Sequence, residues 1–168
     1  MYRWLSGLGM VVGFAGLVCA ASPHFISSSA TVGPDAALTV AWKEAGLGDT
    51  VAIDYTTSAT AAATYVCLNG GGKHPQAANK ETITAPVSAS GTFTSGKNGS
   101  ILGELVLDPP GPGDFSCPPG QRLALACATY SGVVLSDDTN GVAVDLGGPF
   151  VGRDPVAGPF CPSEAGGS

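Results

Sequence analysis

The sequence has few charged residues and very few basic ones. Only 12% of its 168 residues are charged, and 7 Lys and Arg stand against 13 Asp and Glu, which gives a formal net charge of -6. Binding to nucleic acid through counterion release needs clustered Lys and Arg, so the composition argues against that class of function. The charged fraction is also too low for a coiled coil or an acidic disordered tail.

Long hydrophobic runs are also scarce, since the one run of 14 residues spans residues 8–21 and no second run of that length follows. This run is shorter than the roughly 20 residues that cross a bilayer. A basic residue before it and small residues at its end predict a secretory signal peptide over residues 1–21, cleaved after Ala20 or Ala21. The alternatives are an uncleaved anchor, or lipidation at Cys19, which a lipobox would precede with a small residue rather than valine.

The cysteines left after cleavage are Cys67, Cys117, Cys127 and Cys161. An even number in an exported chain indicates two disulfides, for which three connectivities exist. Cys67 closes an apolar run and Cys117 precedes another, so antiparallel pairing of the two runs would bring these cysteines together. We therefore expect Cys67–Cys117, which leaves Cys127–Cys161. A zinc site is the weaker alternative, because paired ligands such as CxxC are absent.

Short apolar runs alternate with turn residues after the leader, and no window shows sustained helical periodicity. Strands are expected within residues 25–31, 38–42, 51–55, 64–68, 82–94, 101–107, 122–130, 133–135 and 142–146. Their spacing near ten residues, without helices between them, predicts an all-β, antiparallel β-sandwich of 7–9 short strands over residues 22–147. Gly and Pro residues predict a loosely ordered C-terminal tail over residues 148–168.

Two turns carry hairpin signals. The Asn98-Gly99 pair predicts a tight hairpin between the strands on either side of it, and residues 137–141 predict a second hairpin. Asn98-Gly99-Ser100 is also an N-glycosylation sequon at an accessible turn. Glycosylation of Asn98 depends on the host and stays open.

The spacing of strands over residues 30–147 resembles the immunoglobulin-like β-sandwich, and two segments resemble small exported actinobacterial proteins of unassigned function. These segments are Tyr65-Val66-Cys67-Leu68-Asn69-Gly70-Gly71-Gly72-Lys73-His74-Pro75 and Phe115-Ser116-Cys117-Pro118-Pro119-Gly120. Trp42 precedes the first cysteine, whereas antibody-type domains place their core tryptophan between the two. The resemblance therefore implies a fold and export, and no antibody-like adhesion.

No motif indicates an enzyme. A hydrolase triad would need His74 beside a serine and a carboxylate, but no Gly-x-Ser-x-Gly elbow is present and a solvated loop histidine explains His74. The other histidine, His24, lies near the new N-terminus. The acidic residues are scattered, which does not indicate the facing pair of a glycosidase. We expect no enzymatic activity and no cofactor.

One acidic turn has the carboxylate density of a calcium loop. It comprises Asp137, Asp138, Asn140 and Asp145, with Gly141 at its bend. The alternating ligands and closing glutamate of an EF-hand are absent, and an ordinary hairpin turn explains the same residues. No metal site is predicted, and calcium stays an alternative.

The loop over residues 68–80 is long for a sandwich connection, and the expected disulfide would hold its base. Loops anchored on a rigid scaffold often bind ligands. Its polar residues are the candidate binding residues: Asn69, Lys73, His74, Gln76, Asn79 and Lys80. Trp42 is expected in the core, while Tyr55, Tyr65 and Tyr130 are secondary candidates for aromatic binding platforms.

The sequence thus predicts a secreted, monomeric, non-enzymatic and disulfide-stapled binding or structural module of the extracellular space or cell envelope. Its partner would be an unidentified protein or glycan, with no nucleic acid and no membrane after cleavage of the leader. An alternative is an inhibitor of a secreted protease, which would present the segment around Cys117 and Pro118. A small hydrolase that depends on His74 is a weaker one.

Overall fold

A computed structural model describes residues 22–70 and 79–154, together with Ala157. Eight strands lie in this part of the chain. They are β1 (His24–Val32), β2 (Leu38–Ala45), β3 (Ala52–Leu68), β4 (Lys80–Thr94), β5 (Ser100–Leu107), β6 (Arg122–Asp137), β7 (Val142–Gly147) and β8 (Phe150–Arg153). Among the described residues, no helix has the length and apolar character that crossing a membrane would require.

The strands form two antiparallel sheets that pack face to face. Sheet A has the order β1-β2-β5, and sheet B has the order β4-β3-β6-β7, with β8 also paired to β6. One core cluster draws its buried residues from both sheets. The all-β sandwich predicted from the strand spacing is therefore confirmed, with the first, second and fifth strands in one layer as in immunoglobulin-like folds.

Period-2 alternation places the core residues. In β2, Leu38, Val40 and Trp42 point inward and are at most 3% exposed. The Trp42 ring lies 4.7 Å from the Tyr55 ring and 5.1 Å from the Phe93 ring, measured between centroids. Each such aromatic pair stabilises the fold by about 1 kcal/mol beyond the area that it buries. Trp42 is thus a core residue, as expected.

Trp42 also explains a glycine in the neighbouring strand. Gly103 of β5 is the register partner of Trp42. A Cβ atom on Gly103 would lie 2.5 Å from Cζ2 of the indole and 2.8 Å from Cε2. The ring therefore passes directly beneath the backbone of β5, and only glycine leaves room for it.

The predicted hairpin at Asn98-Gly99 is wrong. Strands β4 and β5 lie in different sheets, so the turn between them carries the chain from sheet B to sheet A. A two-residue hairpin of type I′ needs positive φ at both central residues, but only Gly99 has it, at 67°. The hairpin at residues 137–141 is confirmed, since β6 and β7 are paired and Gly141 N–H donates to the Asp137 carbonyl.

Several strands are longer than expected. The small-residue stretch over residues 56–64 continues β3 rather than interrupting it, because it pairs with β4 on one side and β6 on the other. Likewise, β6 joins two expected strands into one of 16 residues. Part of the expected loose tail is also ordered, since Phe150–Arg153 forms β8 against β6. The sandwich therefore extends beyond residue 147.

Candidate functional site

The predicted Cys67–Cys117 disulfide is present. Cys67 lies at the end of β3, where its register partner in β6 is Leu123, and Cys117 lies in the segment before β6. The two Cα atoms are 5.5 Å apart. Cys127 is also disulfide-bonded. Its expected partner Cys161 falls outside the described residues, so the second pairing stays a prediction.

The expected binding loop is described at its two ends. Asn79 Nδ2 donates to Gln121 Oε1 at 3.3 Å, and Lys80 is exposed at the start of β4. A shallow cavity of about 420 Å³ lies at the base of the loop, lined by residues 68–70 and 120–122, which include Asn69. The other candidates, Lys73, His74 and Gln76, lie outside the described residues. The structure therefore brings Asn69 close to Gln121 and leaves the ligand-binding role of the loop as a prediction.

The segment between β5 and β6 contains no strand over residues 108–121. The Tyr65 hydroxyl donates to the Pro110 carbonyl at 2.9 Å, and the disulfide holds Cys117. Pro118, Pro119 and Gly120 are exposed. This braced segment is thus fixed at two points, with exposed residues after the second one.

The tyrosines proposed as binding platforms are buried, so that interpretation is wrong. Tyr55 and Tyr130 are 0% exposed and Tyr65 is 9% exposed. The Tyr130 hydroxyl donates to the carbonyls of Ala36 and Leu107, at 2.9 and 3.1 Å. Burial raises the pKa of Tyr130 above its usual range. The hydroxyls of Tyr55 and Tyr130 join the two layers, that of Tyr65 holds the segment at Pro110, and none of the three rings offers a surface to a ligand.

The acidic turn is held by hydrogen bonds within the chain. Asp137 accepts from Asn140 N and Nδ2 at 2.8 and 2.6 Å. Asp138 accepts from the Thr56 hydroxyl at 2.6 Å, and Asp145 accepts from a backbone amide. Within the described ranges, no three His, Cys, Asp or Glu side chains group together as a metal would require. A turn closed by Asx hydrogen bonds therefore accounts for these residues.

Two other candidates from the sequence are placed as follows. His24 is exposed, and its Nδ1 lies 2.8 Å from the Ser22 carbonyl oxygen. Asn98 is exposed at the crossover turn, where its Oδ1 accepts from the Ser100 hydroxyl at 2.9 Å. The sequon is accessible, and its glycosylation stays a prediction.

Sequence reasoning did not single out one surface, the outer face of sheet B, which we call the hydroxyl face. Its members are the outward Ser and Thr side chains of three strands: Thr56, Ser58 and Thr60 of β3, Thr84, Ser88, Ser90 and Thr92 of β4, and Ser131 and Ser136 of β6. The signal was the alternation in β4, where Ser and Thr occupy every outward position from 82 to 94 except Pro86, and Ile83, Val87 and Phe93 face the other way.

Register places these hydroxyls side by side. Ser58 is the partner of Ser88, Thr60 is the partner of Ser131, and neighbouring strands lie about 4.8 Å apart. Two shallow grooves open on this face. One of about 440 Å³ is lined by residues that include Ser58, Thr60, Ser88 and Ser131. The other, of about 360 Å³, lies nearer Asp54, which accepts from the Thr92 hydroxyl at 2.6 Å.

The hydroxyl face is suited to hydrogen bonding rather than to stacking. Each Ser or Thr hydroxyl is both a donor and an acceptor. In the described part of the chain every aromatic side chain is buried or half-buried, so no exposed ring is available to stack on a sugar. The chain matches no protein-family model, and no curated protein is significantly similar to it.

Proposed function

We propose that this protein is an exported, non-enzymatic module that acts by binding, and that disulfides stabilise it outside the cytoplasm. The observation that carries the proposal is the disulfide bonding: Cys67 is bonded to Cys117, and Cys127 is disulfide-bonded as well. Disulfides persist in oxidising compartments and are rare in the cytosol. The leader pattern of residues 1–21 points the same way.

Export is tested by measuring the intact mass of the protein recovered separately from the culture medium and the cell envelope. A soluble species that begins near Ala21 or Ser22 and gains about four hydrogens on reduction, two for each bridge, supports the proposal. A full-length or lipid-bearing species in the membrane contradicts it, and so do free thiols.

We assign binding to the hydroxyl face, with a neutral glycan as the ligand. The exposed Ser and Thr side chains match the donor and acceptor pattern of sugar hydroxyls, and the grooves between the strands offer concave contact. The carboxylates of Asp54 and Asp138 at one end of the face accept hydrogen bonds from threonines. The net charge of -6 disfavours anionic polymers.

The surface is tested by affinity electrophoresis in gels that contain neutral or anionic polysaccharides. Ser88→Arg places a large charged side chain in the middle of the hydroxyl face, on an exposed position of edge strand β4. The matched control is Ser29→Arg on exposed edge strand β1 of sheet A. We expect retardation by a neutral polysaccharide that Ser88→Arg abolishes and Ser29→Arg preserves. Equal retardation of both variants would exclude the hydroxyl face, and no retardation by any neutral polysaccharide would exclude this ligand class.

The braced segment supports a second candidate function, inhibition of a secreted protease. The disulfide at Cys117 and the hydrogen bond from Tyr65 to Pro110 hold this segment, and the residues around Pro118 are exposed. An inhibitory loop needs to be held rigidly in this way, because a rigid loop loses little conformational entropy on binding. Titration against a panel of serine and metalloproteases tests it. Stoichiometric inhibition that disappears in Cys67→Ala/Cys117→Ala supports this function, and uninhibited proteases throughout the panel exclude it.

A further inference from the structure

A glutamate lies in the core between the two sheets. Glu44 is the last inward-facing residue of β2 and is 0% exposed. Its Oε2 accepts a hydrogen bond from the Tyr55 hydroxyl at 2.7 Å. Its Oε1 has no donor among the described groups. An ionised carboxylate in this position would leave one oxygen without compensation for the water that it lost.

A second carboxyl from the opposite sheet faces Glu44. Asp137 of β6 is 1% exposed, and it is the register partner of Tyr55, whose hydroxyl is bonded to Glu44. Both Asp137 oxygens already accept from Asn140, through its backbone N–H and its side-chain Nδ2. The donors of Asn140 are directed at Asp137, and Glu44 Oε1 has none, so a proton on Glu44 removes the uncompensated oxygen.

Among the described residues, no other group gives Glu44 a strong counter-charge. The titratable groups that face it are Tyr55 from β3, Asp137 from β6 and His24 from β1. His24 is exposed, and its attraction is the smallest of these influences. On sheet A, the register partners of Glu44 are Phe25 and Ile101, which are uncharged. Burial is the largest influence and raises the pKa of Glu44 above its ordinary value.

We propose that Glu44 keeps its proton in the folded protein, so that it forms a pH-sensitive lock between sheet A and sheet B. With the proton present, Glu44 accepts from Tyr55, which connects β2 of sheet A to β3 of sheet B, and its Oε1 no longer carries an uncompensated charge. Loss of the proton leaves a negative charge on Glu44 buried between the layers, with one oxygen unpaired. The end of the sandwich that contains the acidic turn then loosens.

The sign of the pH dependence follows from where the proton is held. Below the ordinary glutamate value of 4.5, folded and unfolded chains are both protonated at this position, and the contribution of the lock is complete. Above that value the unfolded chain releases the proton while the folded chain keeps it, so stability falls as pH rises until folded Glu44 also ionises. The maximum slope is about a tenfold change in the unfolding equilibrium constant per pH unit.

The test compares urea unfolding of the wild-type chain, Glu44→Gln and the control Glu104→Gln from pH 4 to pH 8. Glutamine keeps an acceptor for Tyr55 but does not titrate. Glu104 is exposed on β5, so its substitution removes an equal charge without touching the core. We expect the wild-type unfolding constant to rise relative to that of Glu44→Gln above about pH 4.5, by up to tenfold per unit, while Glu104→Gln follows the wild type. Parallel curves for the wild type and Glu44→Gln would overturn the proposal.

A second measurement needs no variant to fold. The infrared carbonyl band of a protonated carboxylic acid should persist in the wild-type protein at neutral pH, where ordinary carboxyls are ionised. If every carboxyl signal titrates near its ordinary value, Glu44 is an anion that some other group or a trapped water stabilises, and the proposal of a protonated Glu44 is refuted.

Discussion

Replacing Gly103 with alanine should destabilise the fold through a clash with Trp42. The added Cβ would lie 2.5, 2.8 and 2.9 Å from three atoms of the indole, which are closer than real Cβ contacts. The ring has little freedom to yield, because it is 3% exposed and packs against Tyr55 and Phe93. Overpacking of this kind costs about 1–3 kcal/mol.

The assay is equilibrium unfolding in urea followed by circular dichroism. With a slope of about 2 kcal/mol per molar urea, a loss of about 2 kcal/mol lowers the midpoint by about 1 M. The matched control is Gly111→Ala, where an added Cβ meets nothing within 4 Å. The control isolates the effect of removing a flexible glycine from the unfolded chain.

A double-mutant cycle separates the clash from other effects. In Trp42→Phe the ring no longer has the atoms that lie beneath Gly103, so Gly103→Ala should cost less than about 0.5 kcal/mol in that background. The reasoning is refuted if Gly103→Ala behaves like Gly111→Ala in the wild-type background, or if Trp42→Phe leaves its cost unchanged.

Three further predictions concern the Tyr130 hydroxyl, the Cys67–Cys117 bridge and the acidic turn. Tyr130→Phe should lower the free energy of unfolding by about 1–3 kcal/mol, because two buried carbonyls lose their donor, and an unchanged urea midpoint would contradict this. Cys67→Ala/Cys117→Ala should lower the free energy of unfolding by up to about 4 kcal/mol, since the bridge closes a sequence separation of 50 residues. The loss is largest if the Cys127 bridge does not already restrain the same unfolded loop. A thermal midpoint within a degree of the wild type would refute this prediction. Excess chelator should leave the thermal midpoint unchanged, because Asp137 and Asp138 accept hydrogen bonds from the chain itself, and a drop of several degrees would establish a bound cation.

The alternation of β2 shows how far sequence reasoning reaches. Leu38, Val40 and Trp42 share one face because successive side chains of a strand point to opposite sides. The same period places Glu44 on that inward face. The groups around Glu44 come from other strands: Tyr55 of β3 lies 11 residues further along the chain, and Asp137 belongs to the distant β6.

The crossover turn shows where local signals fail. An Asn-Gly pair favours a tight turn wherever the chain reverses, and it carries no information about which strand each flanking segment will pair with. In this fold β4 pairs with β3 and β5 pairs with β2. The turn therefore joins two sheets, and its Gly99 alone takes the left-handed conformation.

The strand class and the inward faces follow from the sequence alone, because each depends on the order of residues within a strand. The Cys67–Cys117 bridge was expected among three connectivities, and the pairing of β3 with β6 brings it about. The lengths of β3 and β6, the ordering of β8, the continuous hydroxyl face and the meeting of Glu44 with Asp137 were decided by the tertiary structure. The physical reason is that the backbone N–H and C=O groups at a strand edge are the same for every residue, so they do not select a partner strand. Pairing is decided instead by which strand edges and apolar faces the rest of the fold leaves unpaired or exposed.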